Sequence, residues 1–264
     1  MHMKRIVVAL VAIPLLYLYV TMLPPVFFLL FLAAVSALAQ HEFYSMYRTA
    51  RMMSFLGIVA GAVLFGFAYF VPVASPERAQ AMLLILIFMS ISSARLFVPK
   101  EPSSALKDLS PAVIGFLYIP LLLLPMWYLR LYGYEWIFLL CLCVWSSDTL
   151  AYYIGSSIGK RKLYKEVSPN KTVEGAIGSV AGGIMASVIF GSFLIKGTGI
   201  PSLILIGAVL GAVTILGDLV ESMFKRDAGI KDSGTLIPGH GGVLDRIDSI
   251  LFAAPALYLL RSII

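Results

Sequence analysis

The residues best equipped for chemistry lie in one polar run near the C-terminal end. Ser222-Met-Phe-Lys225-Arg226 is followed by Lys231-Asp232, then by Pro238-Gly239-His240-Gly241-Gly242, then by Asp245-Arg246-Ile-Asp248. Four cations, four carboxylates and a histidine fall within these 27 residues of a chain that is 60% hydrophobic and 13% charged. Charge is costly near lipid, so a dense polar cluster beside apolar runs points to function. Asp218, Glu221, Ser222 and Lys225 are spaced i, i+3, i+4 and i+7, which makes one polar stripe on a helix. Asp245 and Asp248, three apart, share a face. Asp148 sits inside an apolar run, after Trp145-Ser-Ser, and requires a cavity, a cation or a polar partner.

Carboxylates that converge at one membrane depth repel each other and require cations. Hard oxygen ligands of this kind suit Mg²⁺. A salt-bridge network with Lys225, Arg226, Lys231 and Arg246 is the alternative, as is a protonated, structural Asp148. The glycines of 238–242 permit close backbone approach, and successive N–H groups there could form an anion nest or simply a tight turn. His240 is suited to contact a phosphate or to carry a proton near neutral pH. Upstream, Lys160-Arg-Lys162 precedes Ser168-Pro-Asn-Lys171-Thr172-Val-Glu174-Gly175. Ser168-Pro is expected to begin a helix, whose N-terminus, with Lys171 and a free hydroxyl, is suited to phosphate; an ordinary basic loop is the alternative. Carboxylates for a metal and cations for phosphates, at a lipid boundary, suit phosphoryl or nucleotidyl transfer. Residue types and spacing alone name neither the nucleotide nor the lipid.

These groups must be positioned by membrane helices. Over 264 residues the mean hydropathy is +0.93, which excludes a soluble domain. Apolar runs of roughly 18–22 residues fit helices across a ~30 Å hydrocarbon core, whereas β-barrel strands would be shorter and would alternate. The expected fold is all-α and polytopic, with nine spans at about 6–22, 24–40, 52–71, 79–98, 110–129, 134–155, 174–195, 202–224 and 247–263. The first follows Lys4-Arg5 and is read as a retained helix rather than a cleaved leader. With the N-terminus in the cytoplasm, 16 of the 20 Lys and Arg fall on the cytoplasmic side and only Arg78, Arg130, Lys196 and Arg261 on the other. That orientation places loops 156–173 and 225–246 in the cytoplasm, where soluble nucleotides are available. One integrated membrane domain is expected, with helices 1–3 in residues 1–72, helices 4–6 in 73–155 and the chemistry in 156–264. The first five spans read as scaffold, and His41-Glu42, just past the second, as an ordinary interfacial pair. Small residues recur in spans seven and eight, spaced for close helix packing. Cys141 and Cys143 point apart on one helix and predict no disulfide.

The run from Ser222 to Asp248 resembles the signature of the phosphatidate cytidylyltransferase, or CDP-diacylglycerol synthase, family: Ser, Lys-Arg, Lys-Asp, Pro-Gly-His-Gly-Gly and Asp-Arg-x-Asp in order and spacing. Asp148-Thr-Leu-Ala-Tyr152-Tyr-Ile-Gly155 and the 168–175 segment resemble further family motifs, although Asn170 stands where a second basic residue is common. The resemblance covers about residues 140–250. It implies the reaction of CTP with phosphatidic acid to give CDP-diacylglycerol and pyrophosphate, with Mg²⁺ and a potassium ion in a mixed metal centre. It implies Asp218, Asp245 and Asp148 as metal ligands, with Asp248 a further candidate, and Lys225, Arg226 and His240 in the catalytic set. Lys171, Thr172, Glu174, Ser222, Lys231, Asp232, Gly239, Gly241, Gly242 and Arg246 are the implied substrate contacts. Expected partners are CTP, phosphatidic acid and membrane lipids, with no nucleic acid and with a homodimer as the implied assembly. The expected location is the inner membrane. Two rivals differ in kind: a CDP-alcohol phosphotransferase, whose aspartates sit in one compact motif, and a cation-coupled secondary transporter, which predicts a midplane site and an inverted repeat.

Overall fold

The computed structural model describes residues 17–71, 77–234, 236 and 241–264, with backbone alone at 77 and 78. Residues 17–22 are helical. Ten further α-helices follow: α1 (Pro25–Met46), α2 (Arg51–Phe70), α3 (Glu77–Ala94), α4 (Ala105–Tyr118), α5 (Pro120–Leu123), α6 (Pro125–Tyr132), α7 (Tyr134–Ile158), α8 (Val173–Leu194), α9 (Ile200–Asp227) and α10 (Leu244–Ile263). Seven helical stretches among the described residues are long and apolar enough to cross a membrane. Six of them match expected spans, five closely and Pro25–Met46 with six residues beyond the expected end. The seventh, Pro102–Tyr132, is longer than the expected 110–129 and is broken into α4, α5 and α6. Pro120 and Pro125 lack the amide that would continue the helix, so each starts a new piece. The first expected span lies mostly outside the described residues. The ninth corresponds to α10, a continuous helix of 20 residues, but Asp245, Arg246, Asp248 and Arg261 keep it out of the apolar set.

The chain is mostly helical, as expected, with one short two-stranded ribbon in addition. Lys162–Tyr164 (β1) and Ser168–Thr172 (β2) pair antiparallel, with Lys162 opposite Thr172. The helix expected from Ser168 therefore begins five residues later, at Val173. Pro169 is tolerated because a two-stranded ribbon is all edge.

Buried polar side chains lock the N-terminal half. The Gln40 amide donates to the Tyr44 hydroxyl at 3.1 Å and to Gly57 O at 2.9 Å, and Tyr44 donates to Ala112 O at 3.2 Å. This joins α1, α2 and α4 where no water can compete. In the C-terminal half, small residues bring α7, α8 and α9 to backbone contact. A Cβ on Gly211 would stand 2.6 Å from Ser179 O, and one on Gly175 would stand 2.9 Å from Ala151 O. Ser179 Oγ donates to Gly211 O at 2.9 Å across the same contact. Gly217 does likewise for α9 and α10: a Cβ there would meet Asp248 O at 2.6 Å. The residue after Gly217 is Asp218, so this close crossing sets Asp218 beside Asp248.

Candidate active site

The polar stripe on α9 forms as its spacing requires. Ser222 Oγ donates to Asp218 Oδ1 at 3.2 Å, and Lys225 pairs with Glu221 one turn earlier. Each end of the stripe also reaches another element. Lys171 of β2 pairs with Asp218 at 2.6 Å, and Lys225 donates to Asp245 of α10 at 2.7 Å. Two ammonium groups thus tie β2, α9 and α10 together through Asp218, Glu221 and Asp245. Glu221 is 1% exposed and Lys225 11% at the side chain, so the second group is much the more enclosed. Lys171 and Asp218 remain partly open, at 24% and 34%.

Asp245 has further donors. Its Oδ2 accepts from Gly242 N at 2.8 Å, Ser233 Oγ at 3.0 Å and Ser233 N at 3.1 Å. The Gly242 amide thus does face an anion, one that the protein itself supplies. Gly241 adopts φ +81°, a conformation that glycine takes without strain, and this turns the chain into α10. Asp248 Oδ1 accepts from Ser249 N at 2.7 Å. Asp248 lies within electrostatic reach of Asp218 and Asp148, and Asp148 within reach of Asp218 and Lys171. Asp148 itself is exposed on α7. Carboxylates from three helices thus converge, although among the described residues no three His, Cys, Asp or Glu are grouped closely enough to hold one ion.

The other expected residues take supporting positions. Arg226 donates to Val167 O at 3.3 Å and to Ile230 O at 2.9 Å, tying the hairpin loop to the end of α9. The Thr172 hydroxyl is not free as expected: it caps α8, accepting from Gly175 N at 3.1 Å, because the first-turn amides of a helix lack partners of their own. Glu174 accepts from the amides of Lys160 at 3.1 Å and Arg161 at 3.2 Å, which closes the base of the hairpin and presents Lys171. Lys231, Asp232 and Arg246 are exposed. Gly239 and His240 lie outside the described residues.

Two residues that the sequence reading passed over adjoin the cluster. The Tyr118 hydroxyl is buried without a hydrogen-bond partner among the described residues, in electrostatic reach of Glu221, Asp248 and Asp218. Its signal in the sequence is only a tyrosine within an apolar run. Glu42, on α1, accepts from Val243 N and Leu244 N, each at 2.9 Å. Helix α1 continues to Met46, six residues past the expected end, so Glu42 belongs to the helix and not to an interfacial loop.

The fold and the cluster together define a multi-pass helical membrane protein in which α7, β2, α9 and α10 bring carboxylates and lysines together. The chain belongs to the Cytidylyltransferase family, which it matches over residues 3–264. It is 48% identical to the phosphatidate cytidylyltransferase of Bacillus subtilis over 134 residues, 50% of this chain and 49% of that protein. It is 38% identical to the phosphatidate cytidylyltransferase of Staphylococcus saprophyticus over 180 residues, 68% of this chain and 66% of that one. With the phosphatidate cytidylyltransferase of Haemophilus influenzae the identity is 46% over 129 residues, 46% of this chain and 45% of that protein. The chain therefore spans about half to just under two thirds of the length of these relatives.

Proposed function

We propose that the chain transfers a cytidylyl group from CTP to phosphatidate, giving CDP-diacylglycerol and pyrophosphate. The observation that carries this is the joining of Lys171–Asp218 and Glu221–Lys225–Asp245 across β2, α9 and α10, in a chain of the cytidylyltransferase family. A lipid phosphate oxygen attacks the α-phosphorus of CTP in line. The bond from that phosphorus to the oxygen bridging to the β-phosphate breaks, and its electron pair leaves with pyrophosphate. The attacking group is already anionic, so no strong general base is required, and His240 is assigned to a phosphate contact. Lys171, Lys225, Arg226 and Lys231 are assigned to the triphosphate or the lipid phosphate. An ammonium group that moves to a phosphate releases its carboxylate to take a cation. Ser222, Asp232, Gly239, Gly241, Gly242 and Arg246 are assigned to further substrate contacts, while Thr172 and Glu174 serve by holding Lys171 in place.

Mg²⁺ is usually held by one or two carboxylates together with substrate phosphates. The donor set fits that mode, since Asp148 and Asp218 lie in mutual electrostatic reach and Asp245 is joined to α9 through Lys225. Asp218 and Asp148 would hold the ion together with substrate phosphates, Asp245 would join them once Lys225 turns to a phosphate, and Asp248 and a potassium ion would share the cluster. When bound, such an ion neutralises charge that develops on the phosphate oxygens. Nine spans in one integrated domain, a cytoplasmic N-terminus, a site on the cytoplasmic face of the inner membrane and a homodimeric assembly complete the proposal.

Purified protein given radiolabelled CTP, phosphatidate and Mg²⁺ is expected to form a CDP-lipid and pyrophosphate in equal amounts. Asp218→Asn and Asp245→Asn should each lower turnover by about a hundredfold or more, the scale of losing one charge-stabilising group. A wild-type protein that forms no CDP-lipid refutes the assignment. Normal turnover in either variant removes that residue from the cation site.

A further inference from the structure

Glu42 is 7% exposed. A carboxylate so buried beside membrane helices must be met by donors, and two backbone amides meet Glu42. Val243 N and Leu244 N each donate at 2.9 Å, and Ser233 Oγ lies at 3.3 Å from Oε2. The amides belong to the first turn of α10, whose N-cap position, Val243, has no side chain able to accept them. A helix N-terminus favours an anion through its free N–H groups and its dipole. Here the anion comes from a residue 201 positions earlier in the chain. The signature segment is also shaped to receive it. A Cβ on Gly234 would stand 2.7 Å from Glu42 Oε1, and one on Gly242 would stand 2.5 Å from Oε2, both far inside contact distance. The same Ser233 that touches Glu42 donates to Asp245 through its backbone and hydroxyl, and Asp245 in turn holds Lys225.

We propose that Glu42 is a positioning residue for the transfer reaction: it holds Ser233 and Gly234 against the start of α10 at Gly242–Leu244, and so fixes Asp245 and Lys225 for substrate. It acts through these residues and contacts neither CTP nor lipid. The inference rests on the function proposed above.

Glu42→Gln keeps the shape but turns an NH₂ group toward an amide donor, so one of the two first-turn N–H groups loses its acceptor. In the full-length protein, hydrogen exchange over residues 241–246 should accelerate at least tenfold. Turnover per folded molecule should fall about tenfold or more, while KM for phosphatidate stays within threefold. A purely structural role would lower yield and melting temperature and leave kcat of the folded fraction unchanged. Gly234→Ala tests the same clamp from the other side. In the wild-type background it drives a methyl group against the carboxylate and should lower kcat about tenfold. In a Glu42→Ala background the methyl has room, and the added loss should be less than twofold, which is the coupling expected of residues in contact. Exchange unchanged in Glu42→Gln, kcat within twofold of wild type, or equal losses from Gly234→Ala in both backgrounds would each overturn the proposal. If Glu42→Ala does not fold, Glu42→Gln and Gly234→Ala alone decide it. Wild-type protein that makes no CDP-lipid refutes the preceding function, and the exchange measurement then still decides whether Glu42 clamps the segment.

Discussion

Replacing Lys225 by methionine keeps most of the side-chain stem but removes the charge shared by two enclosed carboxylates. The side chains of Glu221 and Asp245 are 1% and 8% exposed. Removing one partner of a buried ion pair typically costs about 3–5 kcal/mol. The two carboxylates do not suffer equally. Asp245 keeps Gly242 N at 2.8 Å and Ser233 N at 3.1 Å, whereas Glu221 loses the ammonium group it pairs with. The expected loss is therefore near the lower end, about 3 kcal/mol. In a chain of this size each kcal/mol moves the melting temperature by roughly 2–4 °C, which gives a fall of about 6–12 °C. Thermal unfolding in a fixed lipid–detergent mixture measures this, with turnover recorded on the same sample. Adding Glu221→Gln should restore most of the stability, because a neutral amide needs no counter-charge. It should not restore turnover if Lys225 contacts phosphate. A shift below about 2 °C for Lys225→Met would refute the buried-pair argument. Recovery of turnover in the double variant would refute the assignment of Lys225 to substrate.

Thr172→Ala should cost about 1 kcal/mol, the usual value of a lost helix cap, and lower the melting temperature by a few degrees, while Thr172→Ser, which keeps the hydroxyl, should not. Gly211→Ala places a Cβ 2.6 Å from Ser179 O, a backbone atom with no rotamer to escape into. Overpacking of this kind costs about 1–3 kcal/mol, so the variant should melt several degrees lower in the same unfolding assay.

Length and apolar composition made the long helices legible, because a helix that faces lipid must be apolar along its whole length. The stripe on α9 was legible for a related reason: its partners are three and four residues apart, within one helix. The hairpin was not. Residues 160–172 are polar and short, and Ser168-Pro, a common helix start, stands here in an edge strand. Its shape depends on Glu174 closing its base and Thr172 capping the next helix, and both are contacts that spacing does not reveal. Glu42 was hidden more deeply. Its partners lie 191 to 202 residues away, so no local pattern distinguishes it from an interfacial glutamate. The broken helix of 102–132 lies between these cases, since its prolines are plain in the sequence but their effect on an apolar run is not.

The pairing seen at the site bears on why a cation is proposed there. Of the five clustered carboxylates, the observed ion pairs offset Asp218 with Lys171 and Glu221 and Asp245 with Lys225, while Asp148 and Asp248 lie within electrostatic reach of Asp218. A triphosphate and a lipid phosphate arriving together would compete for the same ammonium groups. Two like charges 4 Å apart in a partly enclosed site repel by about 4 kcal/mol, so each carboxylate stripped of its lysine adds a penalty of that order. In the proposed exchange a divalent cation offsets the abandoned carboxylates and the phosphate oxygens at once, which two lysines alone could not do. On that proposal the more open Lys171–Asp218 pair would be the one that substrate opens first, and the enclosed Glu221–Lys225–Asp245 group would keep its geometry until both phosphates are in place.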